Sequence, residues 1–124
     1  ALAHALGHSF GAVFHITHGT SVGIFLPLTI EFNSRDDKTR EKYNKISRML
    51  GLNYFNDLIV YIEKFYMEIG QPIHVKDLGI KKDEFMEKLD MLVNNALQDS
   101  ELAFNPVVVG EEDLRYLFTK AYGD

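Results

Sequence analysis

The sequence predicts an all-α fold, a bundle of about six helices. Three observations predict it. Apolar residues recur at three-and-four spacing in residues 55–69, 81–98 and from 111 onward, the period of one helix face. Residues 1–30 contain no Lys, Arg, Asp or Glu, and their opening stretch is rich in Ala and Leu, both strong helix formers. The one strand-like run, Val107-Val108-Val109, is too short and too isolated to build a sheet. At 124 residues with 46% hydrophobic content, the chain has the length of one helical domain, residues 1–124, able to bury a core unaided.

Taken in order, residues 2–10 read as a helix, with Gly7 and Gly11 offering close packing or a break. Residues 12–18 include a turn, and Gly19-Thr20-Ser21 reads as the entry to a helix over 20–32 that Pro27 is expected to kink. Ser34 and two aspartates, Asp36 and Asp37, open the next helix, which carries Tyr43, Ile46, Met49 and Leu50 to a stop at Gly51. Residues 55–69 hold the clearest period, with Phe55, Leu58, Ile59, Ile62, Phe65, Tyr66 and Ile69 expected in the core and Gly70 and Pro72 ending the helix. A short helical turn is expected around Val75–Gly79. One helix is predicted over 81–98, burying Phe85, Leu89, Leu92, Val93 and Ala96. Asn105-Pro106 marks a loop. A last helix opens at Glu111-Glu112-Asp113, whose carboxylates suit the helix dipole, with Leu114, Leu117, Phe118 and Ala121 inward.

Charge narrows the function. The 13 basic and 18 acidic residues all lie from Glu31 onward and leave a net charge of -5. That balance argues against general binding to nucleic acid or an anionic membrane, which require basic patches. The longest apolar run of the first quarter, Gly23–Ile30, falls far short of the roughly 20 residues of a membrane span. The absence of cysteine excludes disulfides, thiolate metal sites and a cysteine nucleophile. Ala1 opens in the middle of an apolar helical pattern without a methionine, so the chain is expected to be a piece of a longer polypeptide.

The polar content of the first quarter is dominated by His4, His8, His15 and His18. His4 and His8 share a helix face, and two imidazoles on one face can hold Zn²⁺ or Fe²⁺. Spacing alone is a weak signal for metal, because a buried histidine is more often a core residue bonded to a carbonyl. Along one continuous helix His4 and His18 would stand roughly 21 Å apart. A shared ion therefore demands a helical hairpin bent near residues 11–17, which Gly11 and Gly19 would permit. His15 and His74 need no function, and the run Arg35–Lys42 reads as a solvated helix start.

The order His4, three residues, His8, two residues, Gly11, six residues, His18-Gly19 resembles the signature of the iron-containing alcohol dehydrogenase family. Further likeness lies in Leu26-Pro27 and Asn33, Met49–Leu52, Val75–Ile80, and Asn105-Pro106 followed by Glu112-Asp113-Leu114, so the resemblance covers nearly the whole chain. It implies an all-helical, dehydroquinate-synthase-like C-terminal domain of a two-domain cytoplasmic oxidoreductase that interconverts small alcohols and aldehydes with NAD(P). It implies that His4 and His18 are two of four ligands to Fe²⁺ or Zn²⁺, the remaining Asp and His coming from upstream sequence. His8 then lies near the metal, substrate and nicotinamide as a proton-relay residue. Ser9 and Thr17 stand where many members have Pro, and Val22 where many have Asn; the first two are expected to loosen the turn. No Gly-rich phosphate loop occurs in these 124 residues, so the nucleotide-binding domain is an expected N-terminal partner and the chain alone is expected to be inactive. Residues 2–28 would stay partly uncovered without it, and self-association into a homo-oligomer through that face is expected. The alternative reading is a non-catalytic helical module that binds metal or another protein.

Overall fold

The computed structural model describes residues 1–124 and is all helical, as predicted, with seven α-helices and two single 3-10 turns. Helix α1 spans Leu2–Phe14 and α2 His18–Asn33; α3 spans Asp37–Met49 and α4 Phe55–Ile69. A 3-10 turn at Val75–Leu78 leads to α5, Lys82–Glu87, and α6, Leu89–Leu97; a second at Ser100–Phe104 precedes α7, Glu111–Tyr122. Residues 107–109 form no strand. No helix is long and apolar enough to cross a membrane.

The first quarter of the chain is the centre of the molecule. Leu2, Leu6 and Phe10 of α1 and Ile24, Phe25 and Phe32 of α2 join Phe85, Leu92, Leu114, Phe118 and their neighbours in one hydrophobic core. Phe10 meets Phe25 edge-on at 5.9 Å and Phe25 meets Phe118 at 5.5 Å. Phe14 stacks on Phe85 at 5.8 Å, and Phe85 lies 5.4 Å from Tyr122. Aromatic pairs at such spacings each contribute about 0.5–1.5 kcal/mol beyond the area they bury. The uncharged composition of residues 1–30 is thus spent inside the chain itself. Of the apolar residues in 2–28, expected to stay partly uncovered, Ala12 and Leu26 are exposed, Val13, Phe14, Ile16, Val22 and Leu28 are half-buried, and the rest are buried.

Exposed apolar side chains cluster on the pair α3 and α4, with others scattered singly over the later elements, Phe104 and Val108 among them. Of the seven residues expected to face the core from residues 55–69, only Leu58 and Tyr66 are buried, whereas Phe65 and Ile69 are at least half exposed. The period is that of a helix, but α4 packs chiefly on α2 and α3, and its outer side is left exposed. By contrast, all five core positions predicted for residues 81–98 and all four for the last helix are buried. The single helix expected over 81–98 is two, joined at Lys88, whose amide bonds to the Phe85 carbonyl in a 3-10 manner at 3.1 Å. Ser34 ends α2 instead of capping α3. The cap of α3 is Asp36, whose carboxylate accepts from the Thr39 amide at 2.9 Å and the Thr39 hydroxyl at 2.7 Å.

Two glycines let α2 lie close on α1. A Cβ on Gly7 would stand 2.9 Å from the Val22 Cα and 3.0 Å from its nitrogen; one on Gly11 would stand 2.9 Å from both the Ile16 carbonyl and the Ser21 hydroxyl. Neither glycine breaks the helix, which runs on to Phe14. Likewise α2 runs through the buried Pro27 to Asn33.

Gly7→Ala is expected to destabilise the chain by about 1–3 kcal/mol through overpacking, despite the roughly 1 kcal/mol that alanine gains in helix propensity. Gly19, with nothing within 4 Å of its would-be Cβ, is the control. Gly19→Ala should stabilise by about 0.4–1 kcal/mol. Urea midpoints by circular dichroism would check both, and a Gly7→Ala chain as stable as wild type would refute the close contact. The two bonds from Thr39 hold the Asp36 carboxyl below its ordinary value. A lowered folded value makes the cap's contribution complete above the ordinary aspartate range, near pH 4, and lost as pH falls through the lowered value. Wild-type and Asp36→Ala midpoints should therefore differ at neutral pH and converge toward pH 2.

Candidate functional site

The turn between α1 and α2 decides where the histidines go. His15 ends α1 in the left-handed conformation, φ 58° and ψ 42°, the one non-glycine residue with positive φ. The Ile16 amide bonds back to the Gly11 carbonyl at 3.2 Å, and Thr17, extended at φ -58° and ψ 152°, starts α2. The reversal therefore occupies residues 15–17, inside the expected window. His15, not a glycine, makes the bend, a local conformational cost that the packing of α2 on α1 offsets.

This turn returns the first residue of α2 over the exposed face of α1. The imidazole centroids of His4, His8 and His18 form a triangle with sides of 5.7, 5.7 and 5.3 Å. Residues fourteen positions apart in the chain are thereby neighbours in space. His15 points elsewhere on the exposed turn, and its part is conformational. His74 lies on the far side of α2, in a cleft of about 140 Å³ shared with Glu31, Glu63 and Lys120. Asp77 stands 4.0 Å from the His74 Nδ1 and accepts from its backbone amide.

The three converging rings are not equivalent. His8 Nδ1 lies 2.9 Å from Asp99 Oδ2. His4 and His18 have no hydrogen-bond partner in the protein, so their ring nitrogens remain available to a ligand. No group of three or more His, Asp or Glu side chains is arranged to hold a metal ion within this chain. The donor set fits a partial site. Two neutral imidazoles are suitable ligands for Zn²⁺ or Fe²⁺, and nitrogens at about 2.0–2.1 Å from one ion place ring centroids about 5 Å apart. The 5.7 Å between His4 and His18 is reached from there by small side-chain rotations. Beside the triangle an open hollow of about 210 Å³ is lined by Gly7, His8, Gly11, Ala12, Ile16 and His18.

Two residues that support this site escaped the sequence reading. Asp99 carries no signal beyond a helix-cap pattern, and its contact to His8 spans 91 positions. Ser9 was expected to loosen the turn, yet it sits buried in the middle of α1 and donates its hydroxyl to the Leu92 carbonyl of α6 at 2.7 Å. It is a tie between helices, one residue from His8.

The description "Fe-containing alcohol dehydrogenase family, C-terminal" matches residues 1–122. The chain belongs to the iron-containing alcohol dehydrogenase family. An alcohol dehydrogenase of Thermococcus barophilus is 36% identical over 123 residues, covering 99% of this chain and 32% of that protein. The NADPH-dependent butanol dehydrogenase of Clostridium saccharobutylicum is 30% identical, covering 98% and 32%. The solved iron-containing alcohol dehydrogenase of Thermococcus thioreducens aligns with a TM-score of 0.89 at 32% identity, over 99% of this chain and 32% of that one. The chain thus spans about a third of the length of the relatives it matches and corresponds to the family's all-helical C-terminal domain.

Ser9→Ala is expected to lower stability by about 0.5–1.5 kcal/mol, the net worth of one hydrogen bond, because the Leu92 carbonyl keeps its place in α6 and loses only its second partner. Chemical denaturation would measure it, and a neutral result would show that the bond carries nothing.

Proposed function

We propose that this chain is the metal- and substrate-facing domain of an NAD(P)-dependent, iron-containing alcohol dehydrogenase that interconverts a small alcohol and its aldehyde. The observation that carries this reading is the convergence of three imidazoles, one engaged by a carboxylate and two left free. His4 and His18 would hold a divalent ion together with an Asp and a His from an upstream nucleotide-binding domain. When bound, the ion supplies Lewis-acid polarisation of the alcohol or carbonyl oxygen while hydride passes to or from the nicotinamide.

The chain's own residues prepare that chemistry. Helix α1 sets His4 and His8 one turn apart on an exposed face, and the bend at His15 delivers His18 to them. His8, bonded through Nδ1, leaves Nε2 without a protein partner and lines the hollow, where it would move a proton. Gly7 and Gly11 leave the floor of the hollow without side chains, so a small substrate can lie against the backbone.

Fusion of this chain behind the nucleotide-binding domain of a relative provides the test. His4→Ala and His18→Ala should each lower metal content and reduce kcat/KM by about 100-fold or more. His8→Ala should retain metal but change the pH–rate profile; an unchanged profile rules out the relay. The isolated chain should show no dehydrogenase activity and only weak binding of Zn²⁺ or Fe²⁺. Tight one-to-one binding by the monomer would contradict the two-ligand reading.

A further inference from the structure

Of the three converging histidines, one is gripped from outside the helical pair. Asp99 follows α6 and begins the 3-10 turn at Ser100–Phe104, which packs on α1. Its two carboxylate oxygens are divided between two tasks. Oδ1 accepts from the Glu101 amide at 2.9 Å, capping the turn, and Oδ2 faces His8 Nδ1 at 2.9 Å. The cap fixes the plane of the carboxylate, so Oδ2 is held in place before the imidazole arrives. Asp99 is the better shielded partner, its side chain 17% exposed against 42% for His8.

We infer that Asp99 is a positioning residue that fixes His8 in the tautomer carrying its proton on Nδ1, leaving the Nε2 lone pair as the proton-accepting atom of the site. The inference rests on the relay role proposed above. An ionised carboxylate offers only acceptors, so the ring nitrogen facing it must be the donor. Burial opposes ionisation of Asp99, but the Glu101 amide and His8 outweigh it and hold its carboxyl below the ordinary value. Asp99 therefore stays charged at the pH where a histidine relays protons. The groups that face the His8 ring are His4 at 5.7 Å, His18 at 5.3 Å and Asp99; none of the others is an obligate acceptor for Nδ1–H. When Nε2 takes a proton from an alcohol oxygen, the O–H bond breaks and an N–H bond forms. The ring becomes imidazolium with Nδ1–H still donating, and the Asp99 charge compensates it without itself accepting the proton. A neutral imidazole free in water favours the other tautomer, so the preference is one the fold imposes.

The test is the ¹⁵N chemical shifts of the His8 ring in the full, isotopically labelled chain, metal-free in chelator and held at pH about 8.5, above the ordinary histidine range. Wild type should show Nδ1 protonated and Nε2 bare. Asp99→Ser keeps an oxygen able to cap the Glu101 amide but is too short to reach His8. It should leave the fold intact by circular dichroism and shift the Nδ1–H to Nε2–H ratio toward Nε2–H by about tenfold or more. Asp99→Glu, which retains a carboxylate, should restore part of the ratio. A wild-type His8 protonated on Nε2, or an unchanged ratio in Asp99→Ser, overturns the inference. Should Asp99→Ser unfold, the wild-type shifts alone decide it. The pH–rate profile of His8→Ala in the fused enzyme tests the relay itself, so the two failures are read on different measurements.

Discussion

The close packing of α2 on α1 is the constraint on which the rest depends. Two helices approach this tightly only where side chains are missing, and Gly7 and Gly11 supply the gaps at the points where Val22 and Ser21 come in. The approach has two consequences. It seats Phe10 against Phe25 and so joins the two uncharged helices to the ring of Phe85 and Phe118 that forms the core. It also carries the first residue of α2 back over α1, which no property of either helix alone would do. Stability and site geometry share one contact, so a change that spreads the helices would damage both.

The remaining helices divide into those that hold this pair and those that border it. Helices α6 and α7 pack against the core, and two bonds tie the α6 end of the chain to α1, one from Ser9 to the Leu92 carbonyl and one between His8 and Asp99. Asn33 at the end of α2 exchanges two amide hydrogen bonds with Asn105, at 3.0 and 2.8 Å, anchoring the loop that leads to α7. Satisfied polar pairs of this kind, partly buried, set register more than they add net stability. Helices α3 and α4 stand outside this frame. Their apolar outer faces carry the densest cluster of exposed hydrophobic side chains, and a surface charge balance cannot conceal them.

The histidine cluster shows how exposure and order coexist. His4, His8 and His18 are all exposed, yet each is mounted on a helix whose opposite face is locked in the core. That arrangement lets a site formed at the edge of a domain keep its geometry in water. Under the proposed metal-holding role, it also explains why only part of a site would be present. Two free imidazoles come from this fold, and the relatives, three times as long, have the length to supply the rest.

The amino-acid sequence by itself determined the helices, the inward positions of α6 and α7, and the pairing of His4 with His8. These are matters of spacing along one helix, set by 3.6 residues per turn. The stop at Gly51, the turn at Val75–Leu78 and the end of α4 at Gly70 were legible for the same reason. Each rests on a local backbone preference of the residue that stands there. The meeting of His18 with His4 was expected from the family resemblance and not from spacing, whereas tertiary structure alone decided that His15 and not glycine bends the chain and that Asp99 grips His8 across 91 positions. It also decided that the strongest amphipathic pattern, in α4, lies half bare. Periodicity names the face a helix can bury, whereas what lies against that face depends on long-range packing, which leaves no mark in a local run of residues.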